Sequence, residues 1–108
     1  LAETPIDILL NNAGILYRNN RFVDIQISDE ANWLETFKIN TIAPFYVAQT
    51  FVHHVAKSDL KIIASISSSL SSMSHNQSSD YYFYRTSKCA LNMVVKNLSI
   101  DLKEKGIT

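Results

Sequence analysis

Tyr84 and Lys88 stand four residues apart in Tyr82-Phe83-Tyr84-Arg85-Thr86-Ser87-Lys88. On a helix, side chains at that spacing lie one above the other on the same face. A fixed ammonium beside a phenol favours the phenolate and lowers a pKa that is ordinarily about 10. Such a phenol can donate or accept a proton near neutral pH. The same spacing also fits an aromatic and a basic residue on an ordinary amphipathic helix, so the pair takes its meaning from its surroundings.

Three other places carry polar groups where the pattern is otherwise apolar. Asn11-Asn12-Ala13-Gly14 follows the run Ile6-Asp7-Ile8-Leu9-Leu10. Two amides can bond backbone at a strand end, and two tiny residues let another chain or a ligand approach closely. A plain strand-to-loop turn is the alternative. Asn40 lies four residues before Pro44 in a helical pattern. It is either a polar group placed at a helix defect for chemistry or a patch for that defect. The tract from Ser67 to Asp80 is rich in serine and leaves the end of a second apolar run, Lys61-Ile62-Ile63-Ala64-Ser65-Ile66. It reads as a solvated loop or, because open α/β sheets bind ligands at strand ends, as a source of a substrate-binding hydroxyl.

Elements follow from periodicity. The two short apolar runs, rich in branched residues, predict strands of a parallel sheet buried on both faces. Ser28-Asp29-Glu30 predicts a helix start with Ser28 as cap. That helix carries Trp33, Leu34, Phe37, Ile39, Phe45, Val47, Ala48, Phe51 and Val52, apolar round much of its circumference. Pro44 inside it predicts a kink near Asn40-Thr41, because proline lacks an N–H and collides with the carbonyl four residues earlier. A last helix is expected from Tyr82 to Lys105, capped by Ser79 or Asp80 and stopped at Gly106. Phe83, Ser87, Ala90, Leu91, Val94, Val95, Leu98 and Leu102 form its inward face. Tyr17, Arg18, Arg21 and Phe22, in the loop between the first strand and helix, are candidates to line a site or lie on the surface.

Composition narrows the function classes. The chain has 108 residues, with Lys plus Arg 10 and Asp plus Glu 10, so its formal net charge is zero. No basic patch with interleaved aromatics suggests nucleic acid, and no apolar run is long enough to span a membrane. Cys89 is the only cysteine, which fits a reducing compartment and core packing. The adjacent His53 and His54 point different ways on a helix and are poor joint metal ligands, so no metal is expected. The acceptor patterns at Asn76 and Asn97 read as chance. Strand, helix, strand, helix implies parallel strands joined by a right-handed crossover. Two strands and two helices cannot cover one another, so the segment is expected to be the interior of a larger doubly wound parallel-sheet α/β domain. The start at Leu1 and the end at Thr108 look cut.

Asn11-Asn12-Ala13-Gly14, then Asn40 on a helix, then serines after a strand, then Tyr84-x-x-x-Lys88, in that order, resembles the short-chain dehydrogenase/reductase family. The run from Tyr81 to Met93 is most similar to the branch of sniffer-type carbonyl reductases and C-factor-like proteins. The resemblance covers residues 1–108 as the central part of one NAD(P)-binding Rossmann-like domain, without its Gly-rich phosphate segment and its substrate segment. It implies hydride transfer between a nicotinamide cofactor, NADP or NAD with NADP favoured, and a carbonyl or alcohol. Tyr84 is then the proton donor or acceptor. Lys88 holds the nicotinamide ribose and favours the Tyr84 phenolate. Asn40 keeps a water in a relay to Lys88, and Asn11, Ala13 and Gly14 pack beneath the cofactor. Ser68 orients the substrate carbonyl, with Ser71 the alternative that a common family spacing points to. Gly14 and Gly106 are the only glycines, so no phosphate cradle is present and the segment alone should bind a dinucleotide poorly. A cytoplasmic location, a small-molecule substrate and pairing of subunits through the two long helices are further expectations. Two other classes compete. A non-catalytic member could use its bare apolar helix faces as an interaction module. A serine hydrolase would need His75 as base and lacks a nucleophile elbow.

Overall fold

The computed structural model describes residues 3–17, 21–66 and 80–108. Strand β1 (Ile8–Asn11) and strand β2 (Ile62–Ser65) pair in parallel, with Ile8 opposite Ile62 and Asn11 opposite Ser65. The alternation of a strand places Leu9, Asn11, Ile63 and Ser65 on one face. Helices α2 (Ala43–Ala56) and α3 (Tyr82–Asp101) pack on that face, where Asn11 meets the Pro44 carbonyl and Val95 and Leu98 of α3 lie against Ile63 and Ser65. The other face is bare: Ile8 is 54% and Leu10 53% exposed. The strand expected to be buried on both sides is therefore half-covered, because both helices lie on the same side.

Thr108 completes a rung on the free edge of β2. Its N–H donates to the Lys61 carbonyl at 2.9 Å, and its carbonyl accepts from Ile63 at 2.9 Å. That pair of bonds is a parallel bridge, so β2 is hydrogen-bonded on both edges. Gly106 supplies the left-handed turn (φ 71°) that swings the chain from α3 to this edge.

The helix expected to be continuous from Ser28 is four pieces. A 3₁₀ turn at Ile27–Asp29 leads into α1 (Glu30–Phe37), a π-helical turn follows at Lys38–Ile42, and α2 continues from it. Ser28 is not the cap; Asp29 accepts the Gln26 N–H at 2.9 Å instead. The kink falls where the sequence placed it. Its form is a widened turn in which the Ala43 N–H reaches back five residues to the Lys38 carbonyl, leaving Pro44 at the start of a fresh α-helix, where it is tolerated. At α3, Tyr81 precedes the helix in a left-handed conformation (φ 54°), and Asp80 pairs with Arg85 at 3.1 Å; Ser79, the other cap expected, lies outside the described residues. The α-helix ends at Asp101 and closes with a 3₁₀ turn at Lys103–Lys105, short of the single helix expected.

Candidate active site

The site lies where the carboxyl ends of β1 and β2 meet the π turn and the first turns of α3. Its most buried member is Asn40, 0% exposed. Asn40 does not patch the kink. Its Oδ1 accepts from the Ile15 N–H at 2.8 Å, and its Nδ2 donates to the Ile15 carbonyl at 2.9 Å and to Ser87 Oγ at 3.1 Å. Both amide hydrogens and the oxygen are thus used, as a buried amide requires. The side chain clamps the loop leaving β1 as a neighbouring strand would, and ties it to α3.

Lys88 is 5% exposed and reaches back to the end of β2, where Nζ donates to the Ile66 carbonyl at 3.2 Å. The same Nζ lies 5.8 Å from the centroid of the Tyr84 ring, so the helical spacing does bring phenol and ammonium together. Burial disfavours the charged amine and pushes the Lys88 pKa down from its ordinary lysine value. Tyr84 itself is half-buried.

Gly14 lies against the site: a Cβ built there would stand 3.4 Å from both Asn40 Oδ1 and Lys88 Nζ, in ordinary van der Waals contact. Ala13 and Gly14 are exposed, leaving a small-residue ledge beside the lysine. Asn11 ends β1 and donates to the Pro44 carbonyl at 3.4 Å, a long bond that joins the strand to the start of α2. Ser68, Ser71 and His75 lie outside the described residues. Among the described residues no group of three or more His, Cys, Asp or Glu side chains is placed to hold a metal. No helix there is long and apolar enough to cross a membrane.

Two of the loop candidates, Arg21 and Phe22, do not join the cluster. Arg21 pairs with Asp24 at 3.1 Å and Phe22 is 77% exposed, while Arg18 lies outside the described residues. Desolvation, and then the Glu35 carboxylate that accepts its hydrogen bond, push the Tyr17 phenol upward, the wrong direction for a base near neutral pH.

Several positioning groups carry weaker sequence signals. Ser87 is 0% exposed; its hydroxyl donates to the Tyr84 carbonyl at 2.7 Å, and its own carbonyl accepts from Thr41 Oγ1 at 2.7 Å. A serine on an otherwise apolar helix face, directly before Lys88, is the available signal. Trp33 of α1 stacks on Phe83 with centroids 4.9 Å apart and donates its indole N–H to Thr86 Oγ1 at 3.0 Å. The Ile15 backbone and the Ile66 carbonyl have no sequence signal at all. The first turns of α3 are thus held from α1, from the π turn and from β2.

Comparison with known proteins agrees with this arrangement. A family model described as short chain dehydrogenase matches residues 2–108. The C-signal protein of Myxococcus xanthus is 34% identical over 102 residues, covering 94% of this chain and 60% of that protein. The carbonyl reductase Sniffer of D. melanogaster superposes with a TM-score of 0.86 at 31% identity, over 98% of this chain and 46% of its own. An NADPH-bound carbonyl reductase from chicken fatty liver gives a TM-score of 0.83 at 31% identity, over 96% of this chain and 44% of its own. The chain therefore spans about half the length of the relatives it matches, and over that span it is an α/β segment that belongs to the short-chain dehydrogenase family.

Proposed function

We propose that residues 1–108 are the central part of one Rossmann-like domain and carry the proton-transfer centre of an oxidoreductase acting between a nicotinamide dinucleotide and a carbonyl or alcohol. The observation that supports this reading most is the meeting of Tyr84 and Lys88 at the carboxyl ends of two parallel strands, with Gly14 against the same ammonium. That crevice is where open parallel sheets bind ligands. The residues fit the nicotinamide ribose: an ammonium offers donors to hydroxyls, and the Ala13-Gly14 ledge presents no bulk. NADP is favoured over NAD, in keeping with the NADPH held by the chicken carbonyl reductase.

When bound, the dinucleotide supplies or takes up hydride. The protein's part is to hold and move the proton. Tyr84 hands its phenolic proton to the carbonyl oxygen in reduction and takes it back in oxidation. Lys88, held by the Ile66 carbonyl, keeps positive charge near that phenol and holds the ribose. Asn40 fixes the loop that forms the floor. Ser68, or in its place Ser71, orients the substrate oxygen. A cytoplasmic location and pairing of subunits through the two long helices complete this reading.

Turnover of a panel of aldehydes and ketones with NADPH, by the intact gene product that contains these residues, tests the assignment. Tyr84→Phe is expected to lower kcat by about 10³-fold, within the usual range for a general acid, while NADPH binding by calorimetry stays within about threefold. Turnover by Tyr84→Phe at the wild-type rate would sink the role given to this phenol. The bare sheet face, with Ile8 and Leu10 over half exposed, favours a second reading in which a non-catalytic member uses this segment as an interaction module. An intact gene product without a glycine-rich turn after a strand would support that reading.

A further inference from the structure

Ser87 joins three segments that the proposed chemistry must keep in register. Asn40 Nδ2 donates to Ser87 Oγ at 3.1 Å, and the Ser87 hydroxyl donates onward to the Tyr84 carbonyl at 2.7 Å. Thr41 Oγ1 makes a second tie, to the Ser87 carbonyl at 2.7 Å. At its other end the Asn40 amide holds Ile15 through two bonds of 2.8 and 2.9 Å. One buried side chain therefore spans the distance from Ile15 to Ser87. The chain neighbours of those two residues, Gly14 and Lys88, face each other across the same gap, where a Cβ on Gly14 would come within 3.4 Å of Lys88 Nζ.

We propose that Ser87, seconded by Thr41, is a positioning residue that sets the separation between the Gly14 loop and the Lys88 ammonium, and through it the grip on the ribose of a nicotinamide dinucleotide. The ligand half of this statement rests on the oxidoreductase reading; the geometric half does not. An alanine at 87 leaves the helix ladder of α3 intact but removes the acceptor of a buried amide hydrogen. A buried donor without a partner costs more than the net worth of the bond it lost. The Asn40 amide must then turn or shift, and its hold on Ile15 loosens with it. Thr41→Val removes the second tie without stranding any donor, so its effect has the same direction and is smaller.

Hydrogen exchange and kinetics on the intact gene product test this together. Ser87→Ala is expected to speed exchange of the Ile15 amide about tenfold in the cofactor-free protein, while the amides of Val94 and Leu98 keep their wild-type rates. The same variant is expected to raise KM for NADPH about tenfold with kcat within about twofold. Thr41→Val should change Ile15 exchange and KM about threefold each, and it decides the matter by the same criteria if Ser87→Ala does not fold. An Ile15 amide that ignores both variants, exchange that accelerates uniformly along α3, or an unchanged KM would each overturn the proposal. A wild-type protein without turnover whose Ile15 amide still responds would overturn the oxidoreductase reading and leave the geometric role of Ser87 standing.

Discussion

At the carboxyl ends of β1 and β2 the molecule commits polar atoms to fixed directions, whereas the outer face of the same sheet leaves apolar atoms bare. Among the described residues, Val55, Asn40, Thr36 and Ser87 are the largest fully buried side chains, and three of those four are polar. Asn40 and Ser87 belong to the candidate site and carry three hydrogen bonds from one amide and one from one hydroxyl. Opposite them, Ile8 and Leu10 stand more than half exposed. Apolar burial is non-directional and tolerates many arrangements. A satisfied buried polar network admits only one, and fails sharply when a member is removed. The contrast teaches that register at the site comes from directed bonds rather than from the bulk of the core.

The largest way to break this contrast is at Asn40. Asn40→Leu keeps the branched shape at somewhat greater bulk and removes all three bonds, stranding the Ile15 N–H and carbonyl beneath a buried side chain. A loss of roughly 3 kcal/mol in urea unfolding is expected, the sum of two stranded groups at the usual cost each. A loss under about 1 kcal/mol would show that water replaces the amide and that the network does not govern register.

Lys88 sharpens the same comparison through pH. Burial lowers its folded-state pKa below the ordinary value of 10.5. The unfolded chain therefore binds more protons in the interval between the folded value and 10.5. Stability contributed by this group rises as pH climbs through that interval, and the penalty of a buried charge is fully present below it. Wild-type stability measured relative to Lys88→Met should accordingly increase between neutral pH and about pH 10, by urea unfolding at each pH. A flat difference would mean that the ammonium keeps its solvation and that the site is wetter than its 5% exposure suggests.

How much of this was legible in the sequence differs between the same two regions. The parallel strands, the kink at Asn40-Thr41, the left-handed stop at Gly106 and the pairing of Tyr84 with Lys88 all follow from local rules of period, proline geometry and helical spacing. The partners of Asn40 did not, because Ile15 and Ser87 lie 25 and 47 residues away and backbone groups leave no mark in composition. The cap at Ser28 failed for a related reason. Ser28 is a good cap type, yet a 3₁₀ entry took its place through context that local preference does not contain. The outer face of the strands is bare, as expected where two helices cannot cover both faces of the sheet. The serines that the family pattern singles out, Ser68 and Ser71, fall outside the described residues.

The bare face supplies the smallest expected effect. Leu10 is 53% exposed and points away from α2 and α3, so Leu10→Thr exchanges one β-compatible side chain for another where little apolar area is removed from water. In the 108-residue chain the change should cost under about 0.5 kcal/mol by urea unfolding, as exposed substitutions usually do. The same substitution in the intact gene product distinguishes two origins of that tolerance. A cost still under about 0.5 kcal/mol there would mean that the face is solvated in the whole protein. A cost of about 2 kcal/mol would mean that other elements cover Leu10 as a core residue, so that the exposure seen in the segment reflects a missing layer and the contrast with the Asn40 network narrows to one of direction against area.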